Sequence, residues 1–342
     1  VRRLSIRTNE GGYILAATLI LLALVALIAA RLAQRVDLLR EQSSNLVDIA
    51  QALTDASSAR ARAIYDISTG RITRAGFVLA NGKYLPVDGR DLALSAEGLS
   101  KARVSIQDER GLLSLDNPDR PALSHLLLQE GVPQDSVDHL LDCLEDYTDT
   151  DSLRRLNGAE APDYEALGLP PPRNDWLESP QELRQIIGWR DYPDATDRLM
   201  PLLSSRRDGF YNANAAPRAV LMARFPRAPA SQIDAFLARR TVRPFGDAIE
   251  ARSVSGLPFS TDLDLFYPSD QYRLTVHSPG IAVGVEYTVR LTPGGAKRPW
   301  EFLDARTVYL GDQVAAGGGN DAAANSNEPP VTPDEAQRPE AF

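Results

Sequence analysis

The sequence has a single cysteine, Cys143, and three histidines, His125, His139 and His277. One thiol excludes an intrachain disulfide and a thiolate zinc site, and the histidines are too scattered for a motif such as HExxH. Histidine-based metal catalysis is thereby disfavoured, and Cys143 reads as a small buried hydrophobe. Catalytic signatures are missing too: there is no GxSxG, no P-loop, and no GxGxxG between a strand and a helix. Nor is there an excess of positive charge. The 37 Lys and Arg against 46 Asp and Glu leave a net charge of −9, which opposes general attraction to phosphate backbones. What the 342 residues do supply is 43% hydrophobic side chains, enough for one or two ordinary cores.

The strongest physical signal lies near the start. Residues 13–30 carry no charge and, at about 1.5 Å per residue, span roughly 27 Å of helix, nearly a bilayer core. Arg2, Arg3 and Arg7 precede this run with Glu10 as the sole acid, a bias that puts the N-terminus in the cytoplasm and the bulk of the chain outside. Arg31 and further helix follow, with no small-residue cleavage site, so the segment reads as a retained anchor. Leu32, Leu39, Leu46 and Leu53 recur every seven residues, Ile49, Ala56 and Ala63 form a second row, and neither Pro nor Gly interrupts 13–65. One helix over 13–65 is expected, packing on a globular domain or on neighbouring helices, with a dimeric coiled coil as the alternative.

Beyond the helix, AGFVLA, KYLPV and ARVSIQ are short strand-like runs separated by Asn81-Gly82, Asp88-Gly89 and Glu97-Gly98 turn signals. QYRLTVHS and AVGVEYTVRLT alternate around Pro279-Gly280 as a hairpin should. A helical stretch, 118–255, separates the two strand regions. Within it, residues 179–189 and 212–247 look like paired helix-hairpin-helix units; Ser179, Pro180 and Glu182 form a helix-start signature. The second hairpin, Phe225-Pro226-Arg227-Ala228-Pro229, has no glycine, and its prolines lack the amide donors a phosphate needs. Arg218, Arg224, Arg227, Arg239, Arg240 and Arg243 nevertheless keep DNA contact open. Residues 311–342 are Gly/Ala/Asn/Pro-rich and read as a disordered acidic tail.

One acidic constellation stands out. Asp146, Asp149 and Asp151 crowd the end of an amphipathic helix, with Glu160 after a loop. Carboxylates there face the negative end of the helix dipole and repel one another, which a bound cation would relieve, and hard oxygen ligands in a loop suit calcium. A solvated acidic loop is the alternative.

The run Glu10-Gly11-Gly12-Tyr13-Ile14-Leu15 resembles the class III leader of type IV pilins and pseudopilins. The resemblance implies cleavage by a prepilin peptidase after Gly12, leaving Tyr13 as the mature N-terminus. Most pilins then carry Glu at mature position five, where it meets the N-terminal amine of the subunit above; this chain has Ala17. A subunit without that carboxylate suits the top of a stack, and in this it is similar to the minor pseudopilin K family of type II secretion. Asp146-Tyr147, Asp149-Thr150-Asp151, Gly158-Ala159-Glu160 and Tyr164 resemble that family's calcium-binding segment, with Tyr147 in place of its Trp. Asn212 and Asn214 match its Asn-x-Asn motif, and residues 108–116 keep the register of an earlier one although both its Asn positions have changed.

The resemblance implies an α+β fold: a pilin-like long N-terminal helix packed on a small antiparallel β-sheet, with a large helical (helix-hairpin-helix/SAM-like) insertion. The expected division is a leader at 1–12, a transmembrane half-helix at 13–31, and a periplasmic half-helix at 32–65. A β-region follows at 66–117, then the insertion at 118–255, a second β-region at 256–310 and the tail at 311–342. The implied role is non-enzymatic: initiating and capping a periplasmic pseudopilus, from a single-pass position in the bacterial inner membrane. Implied partners are the I- and J-type minor pseudopilins, the major pseudopilin through the N-terminal helix, prepilin peptidase, the inner-membrane assembly platform and the membrane itself, with nucleic acid disfavoured. The alternatives are a membrane-anchored helix-hairpin-helix DNA receptor of the competence type and an anchored calcium-dependent hydrolase.

Overall fold

The computed structural model describes residues 11–93, 102–278, 283–295 and 298–310, without the side chains of 11–14, 41, 45 and 48. Most of the expected leader, the side chain of Tyr13, the Glu97-Gly98 and Pro279-Gly280 turns and the 311–342 tail lie outside the described residues. The chain divides into two compact units, Val1–Asp55 and Ala56–Phe342.

Helix α1, Gly11–Thr69, runs without a break and ends later than the apolar rows alone require. It stops at Gly70, whose amide closes the last turn on the Asp66 carbonyl at 2.8 Å. In the first unit, Leu32, Leu39, Leu46 and Leu53 are 61–68% exposed, so the heptad row is not buried. The candidate span Leu15–Thr69 includes a window of mean hydropathy 2.5, long and apolar enough to cross a membrane.

In the second unit the end of α1 turns its small and branched side chains inward. Ala59, Ala63, Ile64 and Ile67 pack with Phe77, Leu85, Val104, Ile106, Tyr272 and Leu274. Strands β1 (Arg71–Thr73), β2 (Gly76–Val78) and β3 (Tyr84–Pro86) form an antiparallel meander. Strands β4 (Asp88–Ala93) and β5 (Arg103–Asp108) enter a second sheet; the short β6 is Leu113–Ser114. Helices α2 (Arg120–Gln129), α3 (Gln134–Thr148), α4 (Ala161–Ala166) and α5 (Pro193–Leu199) follow, then β7 (Leu203–Ser204), α6 (Arg218–Arg224), α7 (Ala230–Val242) and α8 (Ala248–Ser255). Strands β8 (Gln271–His277), β9 (Val283–Leu291) and β10 (Trp300–Tyr309) complete an antiparallel sheet of order β10-β9-β8-β5-β4. Thus β5 pairs directly with β8, Ile106 opposite Leu274, although all of α2–α8 lies between them in sequence.

That long excursion is tied shut at its base. Asp108, at the end of β5, is fully buried and accepts hydrogen bonds from Asn212 Nδ2 at 2.8 Å and the Ser269 amide at 3.0 Å. Asn214 exchanges two bonds with the Phe245 backbone, at 2.9 and 3.0 Å. The insertion has its own core, in which Leu123, Val137, Leu140, Leu144, Trp189, Leu199, Leu221 and Phe236 are buried together.

Two sequence expectations change, and one strand is added. Asp88-Gly89 does not turn the chain: it opens β4, with Gly89 at φ +78° in a stretch whose pairing with β5 shifts register. Ser179 and Glu182 do form a capping box, but residues Pro180–Gln185 wind as a 3-10 turn and not as an α-helix. Trp300 and Phe302 belong to a full edge strand, β10, whose alternating exposed residues carry a weak apolar pattern.

Candidate metal centre

The acidic site grows out of α3. Val137, Leu140, Leu141 and Leu144 face the insertion core, while Asp142, Glu145, Asp146 and Asp149 recur at i, i+3, i+4 and i+7 along the helix end. Like charges at this spacing repel. Two arginines answer them. Arg120 of α2 binds Asp142 at 2.5 Å and Glu145 at 2.8 Å. Arg155, on the loop after α3, binds Glu145 at 2.9 Å, Asp146 at 2.7 Å, and Asp149.

The loop folds back because its backbone donates to the same carboxylates. The Arg155 amide reaches Asp146 Oδ2 at 3.1 Å, and the Asn157 amide and side chain both reach Asp142 Oδ2 at 3.1 Å. Burial pushes the Asp142 carboxyl up, yet the Arg120 and Asn157 bonds hold it net below the usual range. Gly158 then passes so close to Asp146 that a Cβ would lie 1.9 Å from Oδ2.

The structure brings Asp149, Asp151 and Glu160 together: one carboxylate oxygen from each lies within 4.8 Å of the others. Asp146 stands beside them, completely buried, with its oxygens taken by Arg155. Glu160 is 4% exposed, and neither of its oxygens meets a hydrogen-bond donor; Asp149 Oδ1 is likewise buried and unpartnered. Burial first, then Asp146 and Asp149, pushes the Glu160 carboxyl above the usual glutamate range. The unpartnered oxygens of Glu160 and Asp149, grouped with a carboxylate of the exposed Asp151, fit a hard divalent cation, and this all-oxygen chemistry fits calcium better than a transition metal.

Three contributors were missed in the sequence. Asn174 donates through Nδ2 to the Asp151 carbonyl at 3.1 Å and through its amide to the Tyr147 carbonyl at 3.0 Å, pinning the far side of the loop from a left-handed backbone at φ +50°. Arg120 lies too far along the chain for spacing to reveal it. Arg155 was visible in principle, as a cation embedded among five nearby acids. Cys143 is buried, and burial, reinforced by Asp146 and Asp142, pushes its thiol up to about 12, so it remains a neutral packing group.

The arginines of the helix-hairpin-helix region are largely committed within the fold. Arg218 pairs with Asp234, Arg224 with Asp119 and Asp264, and Arg239 with Glu250; buried Arg240 donates to the Ala213 and Ala216 carbonyls. A cation already bound this way contributes little to a phosphate contact.

A long apolar N-terminal helix has its last turns packed on antiparallel strands, and a helical block is inserted between paired strands, which is a pilin-like arrangement. Residues 98–208 match the family described as type II secretion system (T2SS), protein K. The chain is also similar to one in the solved GspK-GspI-GspJ complex of the enterotoxigenic Escherichia coli type 2 secretion system, at 17% identity and a TM-score of 0.49, covering 78% of this chain and 99% of that one. No curated protein matches at a significant level.

Proposed function

We propose that the chain is the minor pseudopilin that initiates and caps the periplasmic pseudopilus of a type II secretion system. The observation that carries this reading is the protein K segment at 98–208 on a chain whose uncharged N-terminal run, residues 13–30, has Ala17 where a stacking carboxylate would stand. An apolar helix without that acid can pack laterally among similar helices in the membrane, but has no counter-charge for the amine of a subunit added above it. The insertion, α2–α8, adds bulk that opposes such addition sterically. In this reading prepilin peptidase cuts after Gly12, the N-terminus begins in the cytoplasm, the helix is stored in the inner membrane and the remaining body is periplasmic. The exposed leucine row from Leu32 to Leu53 supports lateral contact with I- and J-type minor pseudopilins and with the major pseudopilin. The role is structural: the acidic residues hold a loop and do not turn over a substrate.

Co-expression of the full chain with I- and J-type subunits, followed by detergent extraction and size-exclusion chromatography, should yield a co-eluting complex. Elution of this chain alone, together with salt-sensitive binding to duplex DNA, would favour the competence-type receptor instead.

Asp149, Asp151 and Glu160 are the residues that would hold calcium, with Asp146 and Arg155 setting their positions. A raised acid pKa means that the folded state takes up a proton more readily than the unfolded chain, so stability falls as pH rises through the interval between the two values. At neutral pH without calcium, ionised Glu160 therefore weakens the fold, while with calcium it becomes a ligand. Glu160→Gln should accordingly raise the melting temperature slightly in chelator and lower it in millimolar calcium. Equal shifts of one sign in both conditions would remove calcium from the proposal.

A further inference from the structure

We infer that Arg155 is a resident counter-cation of the acidic loop, standing in for part of the charge of a metal ion and thereby weakening, while outlasting, the binding of that ion. The inference rests on the calcium reading above and concerns how that site is regulated.

The geometry divides the carboxylates between two positive charges. Arg155 contacts Glu145, Asp146 and Asp149 with one guanidinium, and its backbone amide adds a further bond to Asp146. Asp149 is the shared member. Its Oδ2 is bound to Arg155, its Oδ1 is buried without a donor, and its carboxylate is grouped with those of Asp151 and Glu160. The guanidinium and an incoming cation therefore draw on the same carboxylate. A guanidinium stays cationic at any pH where the protein folds.

Two consequences follow from this sharing. Without metal, Arg155 neutralises the helix-end carboxylates that otherwise repel, so the loop keeps its course over α3. With metal, the fixed positive charge repels the ion across a few ångströms and lowers its affinity. The loop is thus built to remain folded when calcium is scarce, and to take calcium up only where the ion is plentiful.

The test uses the full chain in detergent, with calcium as the probe, read by calorimetric titration and by melting in chelator and in calcium. Arg155→Gln should bind calcium on the order of tenfold more tightly than the wild type, melt lower in chelator, and show a wider gap between the two melting temperatures. Arg155→Lys keeps the charge and should stay near wild-type affinity, whereas a merely structural role would make Lys and Gln equally damaging. A Gln variant that folds only with calcium is the same effect at its limit. Unchanged or weaker calcium binding by Arg155→Gln, with a normal calcium response in the wild type, would overturn the counter-cation role alone; a wild type indifferent to calcium would overturn the metal reading beneath it.

Discussion

Gly158→Ala should destabilise the protein by about 3 kcal/mol and abolish any stabilisation by calcium. The reason is steric and electrostatic at once. A methyl group on this residue would stand 1.9 Å from Asp146 Oδ2 and 2.7 Å from its Cγ, distances at which something must move. The loop cannot rise easily, because the neighbouring Asn157 amide and side chain are fastened to Asp142. Asp146 cannot swing away either without leaving Arg155, and it is wholly buried. Either route leaves a buried charge short of partners, the costly outcome for a desolvated ion pair. Gly294→Ala is the matching control, since nothing lies within 4 Å of its added carbon. Urea unfolding should separate the two variants clearly. A Gly158→Ala protein within about 0.5 kcal/mol of wild type would mean that the loop does not run over Asp146 as described.

Gly158 also shows how far the sequence could be read. Its place in Gly158-Ala159-Glu160 was recognisable, and so were the acids around it, because their types and spacing are local properties. The steric demand on the glycine was not, since it arises only when the loop has folded back on α3. The same division holds elsewhere. Residues 13–65 announced a helix through uninterrupted apolar rows, and β8 and β9 announced a hairpin through alternation. Gly89 misled because a glycine after aspartate is equally at home in a turn and in an irregular strand. Strand β10 was nearly invisible: an edge strand with one face open to solvent needs little apolar alternation. Asn212 and Asn214 were noticed as a motif, but their reason, holding the base of the insertion against Asp108 and Phe245, depends on partners far away in sequence.

Arg273→Met should cost about 3–5 kcal/mol, the largest single effect expected outside the acidic loop. Arg273 is 5% exposed on β8 and ties the central sheet to the inserted helices. Its Nε donates to Glu109 at 3.0 Å, and its Nη atoms donate to the Met200 and Leu203 carbonyls at 3.1 and 2.6 Å. Methionine fills a similar volume but donates nothing, so Glu109, itself 4% exposed, would keep its charge without its cation, and the two carbonyls would lose the guanidinium. Glu286 is spared, because Arg306 binds it at 2.5 Å. If the cost comes mainly from the stranded carboxylate, adding Glu109→Gln should recover much of it. A double-mutant cycle in urea would then give a coupling of about 2 kcal/mol or more. Additive losses would place the cost in the missing carbonyl bonds instead. In both cases any response to calcium should survive, since Arg273 touches none of the carboxylates of the acidic loop. A calcium response lost with Arg273 would mean that the sheet-to-insertion joint and the acidic loop form one cooperative element, against the separation of contacts seen here.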